Sequence, residues 1–237
     1  MGTRSNEAFL KVISTSFSEF VKAGTSRSPQ KLKPLHGAVA EDLARMLGDN
    51  YMVEAQGYSS DKEGTIAGRY MDKRIDIVVS KDGEPVAGIE VKFIMQNYSQ
   101  NSNNYFENML GETANIRSAG CPLFQIIILL DRLPYYDKGG KITKWETFTD
   151  TNVAKYIALS ADNPYTFYHT PNKTLIYVVH IPDGENLMDR NSYMEYYKKC
   201  SSNVTLSANK YDSFGKAVIL NDYVTFMKKI YHTILSV

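Results

Sequence analysis

The sequence predicts an α/β fold: a mixed central sheet flanked by helices, in the order helix, strand, strand, strand, helix, strand (αβββαβ), followed by an α-rich C-terminal elaboration. Three observations carry that prediction. Residues 86–93 alternate strictly, with Ala87, Ile89, Val91 and Phe93 on one side and Val86, Gly88, Glu90 and Lys92 on the other, the period of a strand. Residues 123–130 form a nearly continuous apolar run, the pattern of a strand covered on both faces. Leu35, Val39, Leu43, Met46 and Leu47 recur at helical spacing and are followed by Gly48.

Length and composition set the frame. At 237 residues and 43% hydrophobic content the chain can bury a substantial core. It is read as one domain, 1–237, with a core from about 35 to 131, an N-terminal helix and arm over 1–34 and the C-terminal elaboration over 132–237. No apolar run approaches the roughly 18 residues of a membrane span, and the polar N-terminus lacks the apolar core of a signal peptide, so a soluble, cytoplasmic protein with no membrane partner is expected. Cys121 and Cys200 stand far apart with no Cys or His at ligand spacing, which argues against zinc and against a disulfide framework. His36, His169, His180 and His232 are scattered, and each reads as a surface or packing residue. A net charge of +1 excludes a protein that grips nucleic acid over its whole surface, so local charge must decide the partner.

Taken from the N-terminus, Phe9, Leu10, Val12, Ile13, Phe17, Phe20 and Val21 predict an opening helix over 6–22. Residues 22–33 carry Lys22, Arg27, Lys31 and Lys33 without an acid, either a phosphate-contacting arm or a solvated loop. In the 35–47 helix Asp42 borders the apolar stripe and Glu41 points away. Residues 51–56 read as a first strand, and the polar stretch to Arg69 as a loop or irregular strand.

Residues 74–79 and 86–93 then form a hairpin around Asp82-Gly83, with Ile75, Ile77 and Val79 on one face and Asp76 on the other, beside Glu90. Two carboxylates and a lysine on one sheet face suit a hard cation such as Mg²⁺, which favours carboxylate and water oxygens. The plain alternative is a hairpin whose charges merely face water.

Residues 95–105, dense in Asn and Gln, read either as a hydrophilic loop or as an element able to pair with adenine edges. A helix is predicted over 105–119, with Tyr105, Met109, Glu112 and Ile116 in one of its stripes, stopping at Gly120-Cys121-Pro122. The helix between the two strands implies a right-handed crossover and a parallel pair, which makes the sheet mixed. Beyond it, 132–145 reads as a loop, 150–159 as a helix, 174–181 as a strand, and 188–200 and 217–234 as helices. Tyr193, Tyr196, Tyr197, Tyr223 and Tyr231, set beside lysine pairs, read as half-buried packing in preference to backbone contacts.

With Asp76, then Glu90-Val91-Lys92, on a hairpin between two helices and before a buried strand, the chain resembles the PD-(D/E)XK nuclease superfamily, and type II restriction endonucleases are its most similar group. The likeness spans about 35–130, and Ile75 stands where the motif's name has proline. The resemblance implies a restriction-endonuclease-like core and a Mg²⁺-dependent endonuclease, with Mn²⁺ able to substitute, acting on double-stranded DNA. Asp76 and Glu90 would bind the metal, the Val91 carbonyl would complete its shell and Lys92 would assist the attacking water. The family's helix acid, a Glu four residues after a Gly, matches Gly37 and Glu41, whereas the helical wheel favours Asp42. A homodimer cutting both strands, a cognate DNA methyltransferase as functional partner, and a bacterial, archaeal or phage source are expected. The competing functions are a repair, recombination or phage-type nuclease of the same fold and a non-catalytic nucleic-acid-binding module.

Overall fold

Seven strands of mixed direction form the central sheet of the computed structural model, which describes residues 2–25, 29–199, 203–211 and 214–236. Its main path runs β1 (Tyr51–Ala55), β4 (Ile77–Lys81), β5 (Glu84–Ile94), β6 (Leu123–Leu130), β9 (Lys173–His180) and β10 (Thr205–Leu206), and β11 (Val218–Leu220) also pairs with β9. The pairs β1/β4 and β4/β5 are antiparallel, whereas β5/β6 and β6/β9 are parallel. The expected mixed sheet flanked by helices is therefore present. All eight residues of β6 are buried, as its unbroken apolar run predicts.

Helix α1 (Asn6–Ala23) begins where the Ser5 side chain accepts from the Ala8 N–H and ends at Gly24, whose φ of 66° is the left-handed conformation glycine adopts freely. Its buried face meets the far end of the chain: Phe9 stacks on Tyr223 at 3.9 Å and Phe17 meets Tyr197 edge-on. A short 3₁₀ turn (Pro29–Lys31) leads into α2 (Lys33–Leu47), which buries Leu35, Val39 and Leu43. Of the basic arm, Lys33 pairs with Asp61, and Arg27 lies outside the described residues.

The other face of β5 and β6 is crossed by α3 (Tyr98–Arg117), and α4 (Asp150–Ala161) follows later in the chain. One apolar cluster runs from Phe9 to Ile234 through Ile77, Ile89, Phe124 and Phe226, so the C-terminal segment extends the core sheet. Tyr193, Tyr197 and Tyr223 are buried in that packing. Cys121 is a buried free thiol, and Cys200 lies outside the described residues.

Several elements depart from expectation, each for an identifiable reason. Helix α3 starts at Tyr98, seven residues early, because tertiary contacts override the weak helix propensity of its Asn and Ser residues. Tyr98 is buried edge-on to Phe148, and the Ser99 N–H at the helix start points at the buried Glu146 carboxylate. The loop expected over 132–145 is a two-stranded ribbon, β7 (Arg132–Tyr136) and β8 (Ile142–Thr147), whose Gly139-Gly140 pair forms the turn. The helix expected from 217 is β11 followed by α6 (Tyr223–Leu235), separated by Asn221 at φ 51° and capped by Asp222. The C-terminal elaboration thus mixes helices α4, α5 (Arg190–Lys199) and α6 with five further strands.

The hairpin also differs at its start. Asp76 interrupts the first limb, so 73–75 form a separate strand, β3 (Lys73–Ile75), paired with β2 (Gly64–Ile66) in a small ribbon. Ile75 consequently packs with Ile66, Val78 and Leu123 on the sheet face opposite Ile77 and Val79. The ribbon lies close over that face: a Cβ on Gly88 would stand 2.9 Å from both the Ile66 and Leu123 Cδ1 atoms.

Candidate functional site

The interruption at Asp76 builds the site. Register Ile77↔Ile89 directs the chain toward Glu90, but Asp76 leaves the ladder and its Oδ2 accepts the Val91 N–H at 2.7 Å. A strand residue's N–H and C=O point to the same edge, so the Val91 carbonyl also faces the place where β4 has stopped. Glu90 sits across from Gln125 of β6, and the Gln125 amide donates to Glu90 Oε2. Glu90 and Lys92 lie two residues apart in β5, and Asp76 reaches the same end of the central strands by leaving the ladder.

Desolvation makes charge costly on both acids, although Asp76 keeps 27% of its side chain exposed. Glu90 is 6% exposed and its pKa is pushed up to about 7, first by desolvation and then by the nearby Glu112 carboxylate. Desolvation also pushes Asp76 up to about 6, against the lowering effect of the Val91 N–H and of Lys92. Among the described residues no lysine or arginine forms an ion pair with either acid. The imidazole beside Asp76 Oδ1, His36 Nε2 at 3.9 Å, is kept neutral by burial, its pKa drawn down to about 4. Both His36 ring nitrogens are buried without a hydrogen-bond partner, as is Gln125 Oε1. Two desolvated carboxylates with no direct lysine or arginine ion pair, and unpartnered polar atoms around them, suit an added positive charge.

Among the described residues no group of three His, Cys, Asp or Glu side chains is arranged to hold an ion. The donors on offer are two carboxylates and the Val91 carbonyl. That set fits Mg²⁺, which commonly binds through one or two carboxylates and keeps several waters, better than a metal that demands a full protein cage.

Lys92 extends from the next position on the same face, with Nζ 6.0 Å from the centroid of the Tyr105 ring of α3. It opens into a cleft of about 580 Å³ that also presents Lys31, Arg190, Gln100 and Asn101 and, among the described residues, is lined by no acid. The Asn- and Gln-rich stretch lines the cleft, as a short loop over 95–97 and the first turns of α3. Asn97 is already committed: in the left-handed conformation, its side chain accepts from the Tyr136 N–H and donates to the Tyr136 carbonyl.

Neither candidate acid of α2 joins the carboxylate pair. Glu41 is a surface residue ion-paired to Arg4. Asp42 is fully buried and accepts from Thr3, Arg4, Arg45 and Tyr223, which makes it an anchor for the N-terminus. The residue α2 does turn toward Asp76 is His36. Sequence reasoning also passed over Glu112, which touches Glu90 and pairs with Lys73, and Gln125. Each had a signal: Glu112 lies in the stripe of Met109 and Ile116, and Gln125 is the lone amide of an apolar strand.

Among the described residues no helix is long and apolar enough to cross a membrane. No family model, no curated protein and no solved structure matches this chain.

Proposed function

We propose that the chain is a Mg²⁺-dependent endonuclease of double-stranded DNA, a PD-(D/E)XK enzyme of the type II restriction group, with α2, β1, β4, β5, α3 and β6 as its restriction-endonuclease-like core. One observation carries the reading. The buried Glu90 and the half-buried Asp76, two carboxylates that no lysine or arginine ion-pairs among the described residues, lie beside Lys92, which leads from them into a cleft of basic and amide side chains.

Asp76, Glu90 and the Val91 carbonyl would hold the metal, which supplies charge for the phosphoryl transition state and makes water a better nucleophile. The Val91 N–H fixes one Asp76 oxygen and Gln125 fixes one Glu90 oxygen, which orients both carboxylates for the ion. Lys92 orients the attacking water and offsets charge on the phosphorus oxygens. Lys31 and Arg190 hold flanking phosphates, and Gln100 and Asn101 face base edges. A homodimer would place two such sites on the two strands.

Incubation of supercoiled plasmid with Mg²⁺ tests the proposal. Discrete fragments are expected from the wild type, none with EDTA, and none from Lys92→Ala, which still binds DNA. Smearing or a need for free ends would move the assignment to a repair-type nuclease. Binding without any Mg²⁺-dependent cleavage would sink it in favour of a non-catalytic module.

A further inference from the structure

The turn joining β2 to β3 carries two large apolar side chains into solvent: Tyr70 is 76% exposed and Met71 is 66% exposed. Isolated exposed apolar residues need no explanation, but these two are held in place. Asn115 of α3 accepts from the Tyr70 N–H at 2.9 Å and donates to the Met71 carbonyl at 2.9 Å, while its own carbonyl accepts the Arg69 N–H. A Cβ on Gly68 would lie 2.1 Å from the Asn115 amide nitrogen, so the clamp closes only over glycine. Fixing the backbone under two exposed hydrophobes gives the fold no burial in return, which indicates a rigid contact element.

Its surroundings indicate what it contacts. Around the tip Arg69 lies 5.8 Å from the Tyr70 ring and Arg74 is exposed, while Lys73 is paired with Glu112, and Tyr70 and Met71 share a groove with Glu107 and Glu112. The tip also lies in line with the carboxylates. Along α3, Asn115 clamps the tip, Glu112 touches Glu90, Tyr105 lies by Lys92 and Asn101 lines the basic cleft. Asn101 to Asn115 is about 21 Å at 1.5 Å per residue, roughly six base steps of duplex at 3.4 Å each. A nucleic-acid strand running along α3 would pass the tip, the carboxylates and the basic cleft in turn.

We propose that Tyr70 and Met71 form a wedge that enters the DNA beside the scissile phosphate, Tyr70 stacking on a base and Met71 inserting at the adjoining step. Apolar side chains inserted in this way unstack and kink a duplex, and aromatic stacking contributes substantially to binding. The inference rests on the nuclease reading of the neighbouring carboxylates, and its test separates the two.

The probe is a set of 30-base-pair duplexes carrying 2-aminopurine at successive positions, bound with Ca²⁺ in place of Mg²⁺, with random sequence used if no cleavage site has been mapped. Wild-type protein is expected to raise the fluorescence at one or two adjacent positions. Tyr70→Ala combined with Met71→Ser is expected to abolish that rise and weaken binding roughly ten-fold, with an unchanged melting temperature. If the wild type unstacks a base but never cleaves with Mg²⁺, the wedge stands and the nuclease reading falls. If wild type and variant cleave and fluoresce alike, the wedge is overturned and the nuclease reading stands. A wild-type dimer that the double substitution splits, with DNA binding unaltered, would also overturn it by making the tip a protein interface.

Discussion

Replacing Glu90 by Gln should stabilise the metal-free protein, and by an amount that depends on pH. The amide keeps both contacts: its oxygen accepts from Gln125 and its NH₂ donates to the Glu112 carboxylate, where two acids otherwise face each other. Only the cost of the buried charge is removed. A folded pKa of about 7 against an ordinary 4.5 means that the folded state binds the proton more tightly than the unfolded chain. Stability associated with this group is thus full below the ordinary value and is lost as pH rises through about 7. The shift corresponds to about 3 kcal/mol. At roughly 2–4 °C per kcal/mol for a chain of this size, Glu90→Gln should melt roughly 6–12 °C above wild type at pH 8 in EDTA. Most of that gain should vanish at pH 5, where the wild-type side chain is protonated in the folded state. Millimolar Mg²⁺ should raise the wild type toward the variant and leave the variant unmoved. Calorimetry at the two pH values decides the matter: a variant less stable than wild type at pH 8, or a gain of equal size at pH 5, would refute the reasoning.

Three further substitutions probe other parts of the argument. Asp42→Ala leaves Arg4, Arg45 and the Tyr223 hydroxyl without their shared acceptor, so urea denaturation should show a loss of about 3–5 kcal/mol, with Asp42→Asn losing less and Glu41→Ala almost nothing. Gly88→Ala drives a Cβ against Ile66 and Leu123, and the overpacking should cost about 1–3 kcal/mol, read in the same titration. In Arg190→Ala the cleft loses one of its cations, and DNA binding measured over a range of salt should weaken with its log–log slope smaller by about one.

What was legible in the sequence was whatever depends on period. Strict alternation in β5, the apolar run of β6 and the helical stripe of α2 placed those elements within a residue or two. Elements whose stability comes from distant contacts were not legible. The first turns of α3 are made of poor helix formers held by Phe148, Glu146 and the Asn97–Tyr136 bonds, all supplied by other parts of the chain. The β7/β8 ribbon hid behind Pro134 and a glycine pair that read equally well as a loop. In the stretch from 217, three β-branched or leucine residues continue the apolar pattern of α6, and only the left-handed Asn221 separates strand from helix.

The site shows the same division, with a further lesson in the polar residues that break a periodic pattern. Glu112 in an apolar helix stripe, Gln125 in an apolar strand and His36 on the buried face of α2 are each costly if left alone in the interior. Such residues are retained when register or helix packing brings them to one another, and here the parallel register sets Glu90 against Gln125 while α3 sets Glu112 against Glu90. Ile75 breaks the alternation for a related reason: a strand that carried on through Asp76 would have kept Ile75 with Ile77, and would also have covered the Val91 N–H with backbone. Ending β4 at Ile77 exposes that edge of β5 inside the sheet and hands it to a carboxylate. The break in the pattern and the placing of Asp76 are one structural event, since only a strand that stops there leaves the Val91 N–H for the Asp76 side chain.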